Sequence, residues 1–109
     1  MHAFEVLSDP VRRRILDLLA DGETGAGDVV EIVGAEFGIS QPAVSRHLRV
    51  LRESGFATVR ADGTRRLYAL DEPGFAEAEA QLQHWRRFWR GRLGALHTEI
   101  ARGKKERDR

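Results

Sequence analysis

Between Phe37 and Gln41 the chain has only three residues, Gly38-Ile39-Ser40, and this short interval does most to restrict the fold. Before it, Asp28, Val29, Val30, Ile32, Val33 and Phe37 follow a helical pattern that opens after Gly25-Ala26-Gly27. Gly38 is suited to close that helix, because glycine takes the left-handed conformation of a helix end without a Cβ penalty. Gly34 weakens the last turn. After the interval, Ser40 is a good N-cap, Pro42 is tolerated in the first turn, and Val44, Leu48 and Leu51 make an inward stripe running to Gly55. Two helices joined by so short a turn predict a helix-turn-helix pair.

The flanks extend this pattern. Ala3 to Leu7 can form a short helical turn, and Ser8-Asp9-Pro10 supplies a capping acid and a proline at the first helical position. Val11, Ile15, Leu18 and Leu19 then fall at helical spacing, with Arg12, Arg13 and Arg14 left as a mostly outward, solvated face, and Asp21-Gly22 closes the segment. After Gly55 the periodicity changes. Phe56 to Ala61 and Thr64 to Leu70 are short and rich in β-formers, and Asp62-Gly63 between them is a favoured two-residue hairpin turn. Pro73-Gly74 restarts the chain. From Phe75 onward, Phe75, Leu82, Trp89 and Leu96 recur every seven residues with Ala78 and Trp85 between them, and the seam slips at Arg92, where Leu93 and Ile100 take over. The end, Arg102 to Arg109, has no apolar residue and is expected to fray. The expected architecture is mainly α with a small β-hairpin, a winged helix-turn-helix over 1–101 followed by a charged tail over 102–109.

Charge distribution sharpens this reading. The formal net charge is only +1, but Asp21, Glu23, Asp28, Glu31 and Glu36 stand in a stretch without Lys or Arg. Arg46, Arg49, Arg52, Arg60, Arg65 and Arg66 then follow against only Glu53 and Asp62. A polyanion would meet that central region first. The chain has no cysteine, which removes disulfides, thiolate metal sites and cysteine nucleophiles and makes the cytoplasm the simplest compartment. No apolar run is long enough to span a membrane, and the start carries no basic segment followed by an apolar stretch.

With Val44, Leu48 and Leu51 inward, the residues facing out near the start of the second helix of the pair, over 41–54, are Gln41, Ser45, Arg46 and Arg49, with His47 beside them. Gln pairs bidentately with adenine, Arg with guanine, and Ser is a small adaptable contact. Arg65 and Arg66, near the tip of the hairpin over 56–70, suit phosphate or the minor groove and add affinity more than sequence choice. The partner expected is double-stranded DNA. No enzyme is expected, since there is no Gly-rich phosphate loop and Ser45 and His47, two apart on a helix, point to different sides. No cofactor is expected either.

LSDPVRRRILDLL, SQPAVSRHLRVLRESGF and DGTRRLYAL together resemble the ArsR-type winged-helix repressors, over roughly Phe4 to Ile100. WRRFWRGRL is similar to the C-terminal helix of a cysteine-poor branch that includes SdpR-like autorepressors. The resemblance implies a homodimer built from the first and last helices, here carrying Phe4 on the first and Leu82, Trp85, Trp89 and Leu96 on the last, whose two recognition helices meet a pseudo-palindromic operator. It places Gln41, Ser45, Arg46 and His47 at DNA-reading positions and Arg65 and Arg66 in the wing. Two departures stand out. The segment between Ile32 and Phe37 is about four residues longer than the usual spacing, which extends the first helix of the motif or lengthens its turn. Where many members bind metal through a cysteine pair, the stretch around Val29 to Ile32 is apolar. A second family metal site uses Asp, His, His and Glu on the last helices. His84 and His97, thirteen apart, lie on different faces of one helix and cannot chelate together within a chain, leaving only a site between subunits with Glu79 or Glu99; no metal is expected. A metal- or small-ligand-responsive sensor of the same fold and a winged-helix protein-interaction module are the alternative readings.

Overall fold

The computed structural model describes the backbone of residues 1–107 and the side chains of residues 1–94. Along it run α1 (Ala3–Leu7), α2 (Pro10–Ala20), β1 (Thr24–Gly25), α3 (Ala26–Phe37), α4 (Gln41–Glu53), β2 (Ala57–Asp62), β3 (Arg65–Leu70) and α5 (Glu72–Arg107). The chain divides into two units, Met1–Ala78 and Glu79–Arg109.

The helix boundaries of the first unit follow from local chemistry. Asp9 caps α2, its Oδ1 accepting from the backbone N–H groups of Val11 at 2.8 Å and Arg12 at 3.2 Å, while Pro10 fills the first helical position, where an N–H would have no partner. Ser40 caps α4 by accepting from the N–H of Ala43 at 3.3 Å. Gly38 closes α3 at φ +63°, and both its own N–H and that of Ile39 donate to the Gly34 carbonyl. The chain folds back so tightly there that a Cβ on Gly34 would stand 3.3 Å from the Ile39 carbonyl oxygen. Gly34, expected to weaken this turn, also leaves room for it.

The helices converge on one core. Val6 of α1, Ile15 of α2, Val29 and Val33 of α3, and Val44, Leu48 and Leu51 of α4 are almost wholly buried together with Phe56. The Phe56 ring meets Phe75, at the start of α5, edge-on with centroids 4.8 Å apart. Fully burying a side chain of this size stabilises by roughly 1.5–3 kcal/mol, so this pair anchors the base of the hairpin. The sheet order is β1-β3-β2, antiparallel throughout. This is the winged helix-turn-helix arrangement.

Several expectations are corrected. In α2, Leu16 is buried and Leu18 only partly so. α3 starts at Ala26, two residues early, because Gly25 pairs with Leu67 as a β1 residue and then serves as N-cap. β1 has too short a pattern for sequence periodicity to register. The extra length before Phe37 lies in α3, since the connection to α4 is only Gly38 to Ser40. In the hairpin, Asp62 pairs with Arg65, so the turn is Gly63-Thr64 rather than Asp62-Gly63. Gly63 has φ +62° and among the described residues no non-glycine residue has positive φ, the pattern of a turn with glycine at its first central position. α5 begins at Glu72, before Pro73-Gly74, with its first N–H donating to Asp71 Oδ1 at 2.9 Å.

In the second unit, α5 continues with Leu82, Trp85, Trp89 and Leu93 40%, 46%, 61% and 48% exposed. At about 100° per residue these four fall within roughly 80° of arc, so the helix presents one apolar face. The Arg92 guanidinium lies 5.4 Å over the Phe88 ring. Leu96, His97, Ile100 and the tail over 102–109 fall outside the residues whose side chains are described.

Candidate nucleic-acid interface

α4 presents two polar flanks around its buried stripe. Gln41, Ser45, Arg49 and Arg52 follow an i, i+4, i+8, i+11 line on one side and are all exposed. Arg46 stands opposite the stripe, also exposed. His47 lies on the other flank, roughly 160° from Ser45 by helical geometry, and is only half-exposed. The structure therefore brings Gln41, Ser45 and Arg49 together and sets His47 apart from them.

The first flank opens onto a 280 Å³ groove lined by Ser45, Leu48, Arg49 and Arg52 of α4, Ala26 of α3, and Arg66 and Tyr68 of β3. Recognition helix and wing thus share one basic surface. Arg52 was not singled out from the sequence, although its position eleven residues after Gln41 on the same face was available to find it.

Arg65 points elsewhere. Its Nη2 donates to Asp28 Oδ2 at 3.4 Å, and its guanidinium crosses Gly25 so closely that a Cβ there would lie 2.8 Å from Nη2. Both partners are 60% exposed, and ion pairs of that kind contribute about 0–1 kcal/mol. Phosphate can compete for such an arginine at little cost.

The remaining arginines of this unit are tied into the fold. Arg60 makes a two-point pair with Glu23, at 2.6 and 2.8 Å, and Arg14 does the same with Glu36, at 2.8 and 3.0 Å. These bonds hold both glutamate carboxyls below their usual range and raise both arginines. Arg13 donates to the Leu7 carbonyl at 2.8 Å. Arg12 is the clearest departure from the expected solvated face. Only 11% of its side chain is exposed, and it donates to the carbonyls of Val6 at 2.8 Å and Glu5 at 2.9 Å and contacts His47 Nδ1 at 3.3 Å. The acidic stretch before α4 thus meets the basic one as ion pairs, Glu23 with Arg60 and Asp28 with Arg65. Among the described residues of this unit, Arg46, Arg49, Arg52 and Arg66 are left without an ion pair or side-chain hydrogen bond.

His47 titrates in an altered setting. Burial pushes its imidazole below the usual range; Asp9 opposes this, and the charges of Arg12 and Arg46 add to it. Asp9 is raised by burial, but the N–H groups of Arg12 and Val11 and the nearby positive charges outweigh that and bring its carboxyl down.

Of the expected dimer residues, Phe4 is partly buried against the core and stacks on His2 at 5.8 Å, whereas Leu82, Trp85 and Trp89 are exposed. Among the described residues no group of three or more His, Asp or Glu side chains is placed to hold a metal. No helix among them is long and apolar enough to cross a membrane.

A model of bacterial regulatory proteins of the arsR family matches residues 9–59. The HTH-type transcriptional regulator Rv2034 of Mycobacterium tuberculosis is 38% identical over 80% of this chain and 75% of its own. The transcriptional repressor SdpR of Bacillus subtilis is 39% identical over 64% of this chain and 73% of its own. A solution structure of a homodimeric winged helix-turn-helix DNA-binding domain from Mycobacterium bovis superposes with a TM-score of 0.58 at 25% identity, covering 79% of this chain and 78% of that one.

Proposed function

The chain belongs to the arsR family of bacterial regulatory proteins, and from that premise we propose that it is a homodimeric transcriptional repressor that blocks transcription by occupying a pseudo-palindromic operator. The observation that carries this reading is the sorting of arginines. Within the unit Met1–Ala78, the arginines outside the face formed by α4 and β3 are held by carboxylates or carbonyls, while Arg46, Arg49, Arg52 and Arg66 on that face are free to meet a polyanion. Gln41, Ser45 and Arg46 read base edges in the major groove. Arg49, Arg52 and Arg66 hold backbone phosphate, and Arg65 joins them by leaving Asp28. The protein acts by binding, without catalysis, in the cytoplasm where its DNA lies.

The exposed apolar face of α5, carrying Leu82, Trp85 and Trp89, supplies the dimer contact. Residues 1–101 form the working domain and the charged residues 102–109 are an appendage to it. Titration of duplex DNA at moderate salt tests the reading. Arg46→Ala should weaken specific binding by about 1–3 kcal/mol and relax base preference, whereas Arg65→Ala should lower affinity evenly across sequences. A wild-type protein with no sequence preference would overturn it.

A further inference from the structure

Arg12 lies in the first turn of α2, away from the basic groove, yet its guanidinium is the point where three elements meet. Nε and Nη2 donate to the carbonyls of Val6 and Glu5 at the end of α1, and Nη1 reaches Nδ1 of His47 on α4 at 3.3 Å. A guanidinium has donors and no acceptor. His47 Nδ1 must therefore accept, and in the neutral ring the proton then sits on Nε2.

The second observation concerns where that proton is presented. His47 Nε2 has no partner, and no buried side-chain nitrogen or oxygen among the described residues lacks one. Nε2 therefore keeps contact with solvent although the ring is half-buried. The ring is gripped on its inner nitrogen and shows a single fixed donor outward, on the flank of α4 opposite Ser45. A lone outward N–H beside Arg46, on a helix that approaches DNA, has the chemistry to bind a backbone phosphate oxygen.

We propose that Arg12 is a positioning residue for DNA binding: it fixes His47 in the Nε2–H tautomer so that this N–H donates to a phosphate on the far side of the recognition helix from the Arg49–Arg52–Arg66 groove. The inference rests on the DNA-binding reading and adds a residue to it that touches no DNA itself. It also ties α1 to the recognition helix through one side chain.

Ring-nitrogen NMR shifts of the wild type above neutral pH give the first test. Nε2 should read as protonated and Nδ1 as bare, and the reverse pattern would overturn the assignment. The second test compares His47→Gln, whose amide nitrogen falls where Nε2 was, with His47→Asn, whose amide cannot reach that far. Against a duplex selected by the wild type, the glutamine variant should stay within about threefold and the asparagine variant should lose about tenfold at equal thermal stability. Equal affinities for the two would overturn the phosphate contact. Arg12→Lys should keep the ring signature and the affinity. Arg12→Met should mix the tautomers and, since an even mixture halves the Nε2–H population, weaken binding by about twofold, with the Arg12→Met/His47→Asn double variant no weaker than His47→Asn alone. An Arg12→Met protein that is less stable but keeps the wild-type ring signature and affinity would reduce Arg12 to a structural role and overturn the proposal. If the wild type selected no duplex, the functional reading and the phosphate contact would both fall, while the tautomer assignment would still be decided by its own spectrum.

Discussion

A Cβ placed on Gly74 would come within 2.6 Å of the Phe56 ring, and that ring is fully buried and already in edge contact with Phe75. The Gly74 N–H donates to the Gly55 carbonyl at 2.8 Å, so the start of α5 cannot move away to make room. Gly74→Ala should therefore destabilise by about 1–3 kcal/mol, read as a lower urea midpoint; an unchanged midpoint would mean that the contact is loose. His47 gives a second prediction at this scale. Its folded-state pKa lies below the usual 6.5, so on acidification the unfolded chain takes up the proton first and the folded state loses stability as pH falls below that value. The carboxylates of Asp9, Glu23 and Glu36 are shifted downward too. Their contribution is present above the ordinary carboxylate range and is lost at lower pH. Urea midpoints between about pH 7.5 and 5.5 should thus fall for the wild type and fall less for His47→Gln. Equal slopes would count against a buried neutral ring. Neither Gly74 nor Arg12 was legible as such in the sequence. Gly74 reads as a chain restart and Arg12 as one of three surface arginines, because the Phe56 ring against Gly74, the fold-back of α1 onto Arg12 and His47, 35 positions on, are set by tertiary packing.

At the scale of elements, α4 was the most legible, since its Ser40 cap, its Val44–Leu48–Leu51 stripe and its Gly55 stop are all local signals. The basic groove was only half legible. Helical periodicity gives Ser45, Arg49 and Arg52 one face, but which arginines are already neutralised depends on partners such as Glu23 and Asp28, 37 positions away. β1 and the hairpin register were missed for a related reason: a two-residue strand has no period, and the choice between Asp62-Gly63 and Gly63-Thr64 is made by pairing across the whole ribbon. Arg52 carries the prediction that belongs here. Because it lines the groove and has no partner, Arg52→Ala should weaken binding about equally for all duplexes and reduce the salt slope of log K by about 1. Arg60→Ala, which removes an arginine already held by Glu23, should leave the slope unchanged. A slope altered by Arg60→Ala and not by Arg52→Ala would reverse the sorting of arginines on which the functional reading rests.

For the molecule as a whole, the proposed dimer covers the exposed face of α5. Trp89, 61% exposed, lies in line with Leu82 and Leu93, and indole surface left in water at this density marks an association site. A second copy meeting it through the same face gives the two-fold symmetry that a palindromic operator demands. Trp89→Glu should then convert a sedimenting dimer into a monomer and weaken operator binding with it. A monomeric wild type of undiminished affinity would remove the dimer. The heptad pattern made this face visible in the sequence, whereas its second half, from Leu96 on, lies outside the described side chains. Selection of duplexes from a random pool by the purified wild-type protein tests the central claim most directly. The account predicts a palindrome whose half-sites are centred about one helical turn apart, roughly 10 base pairs. A pool that emerges without a common sequence would contradict it.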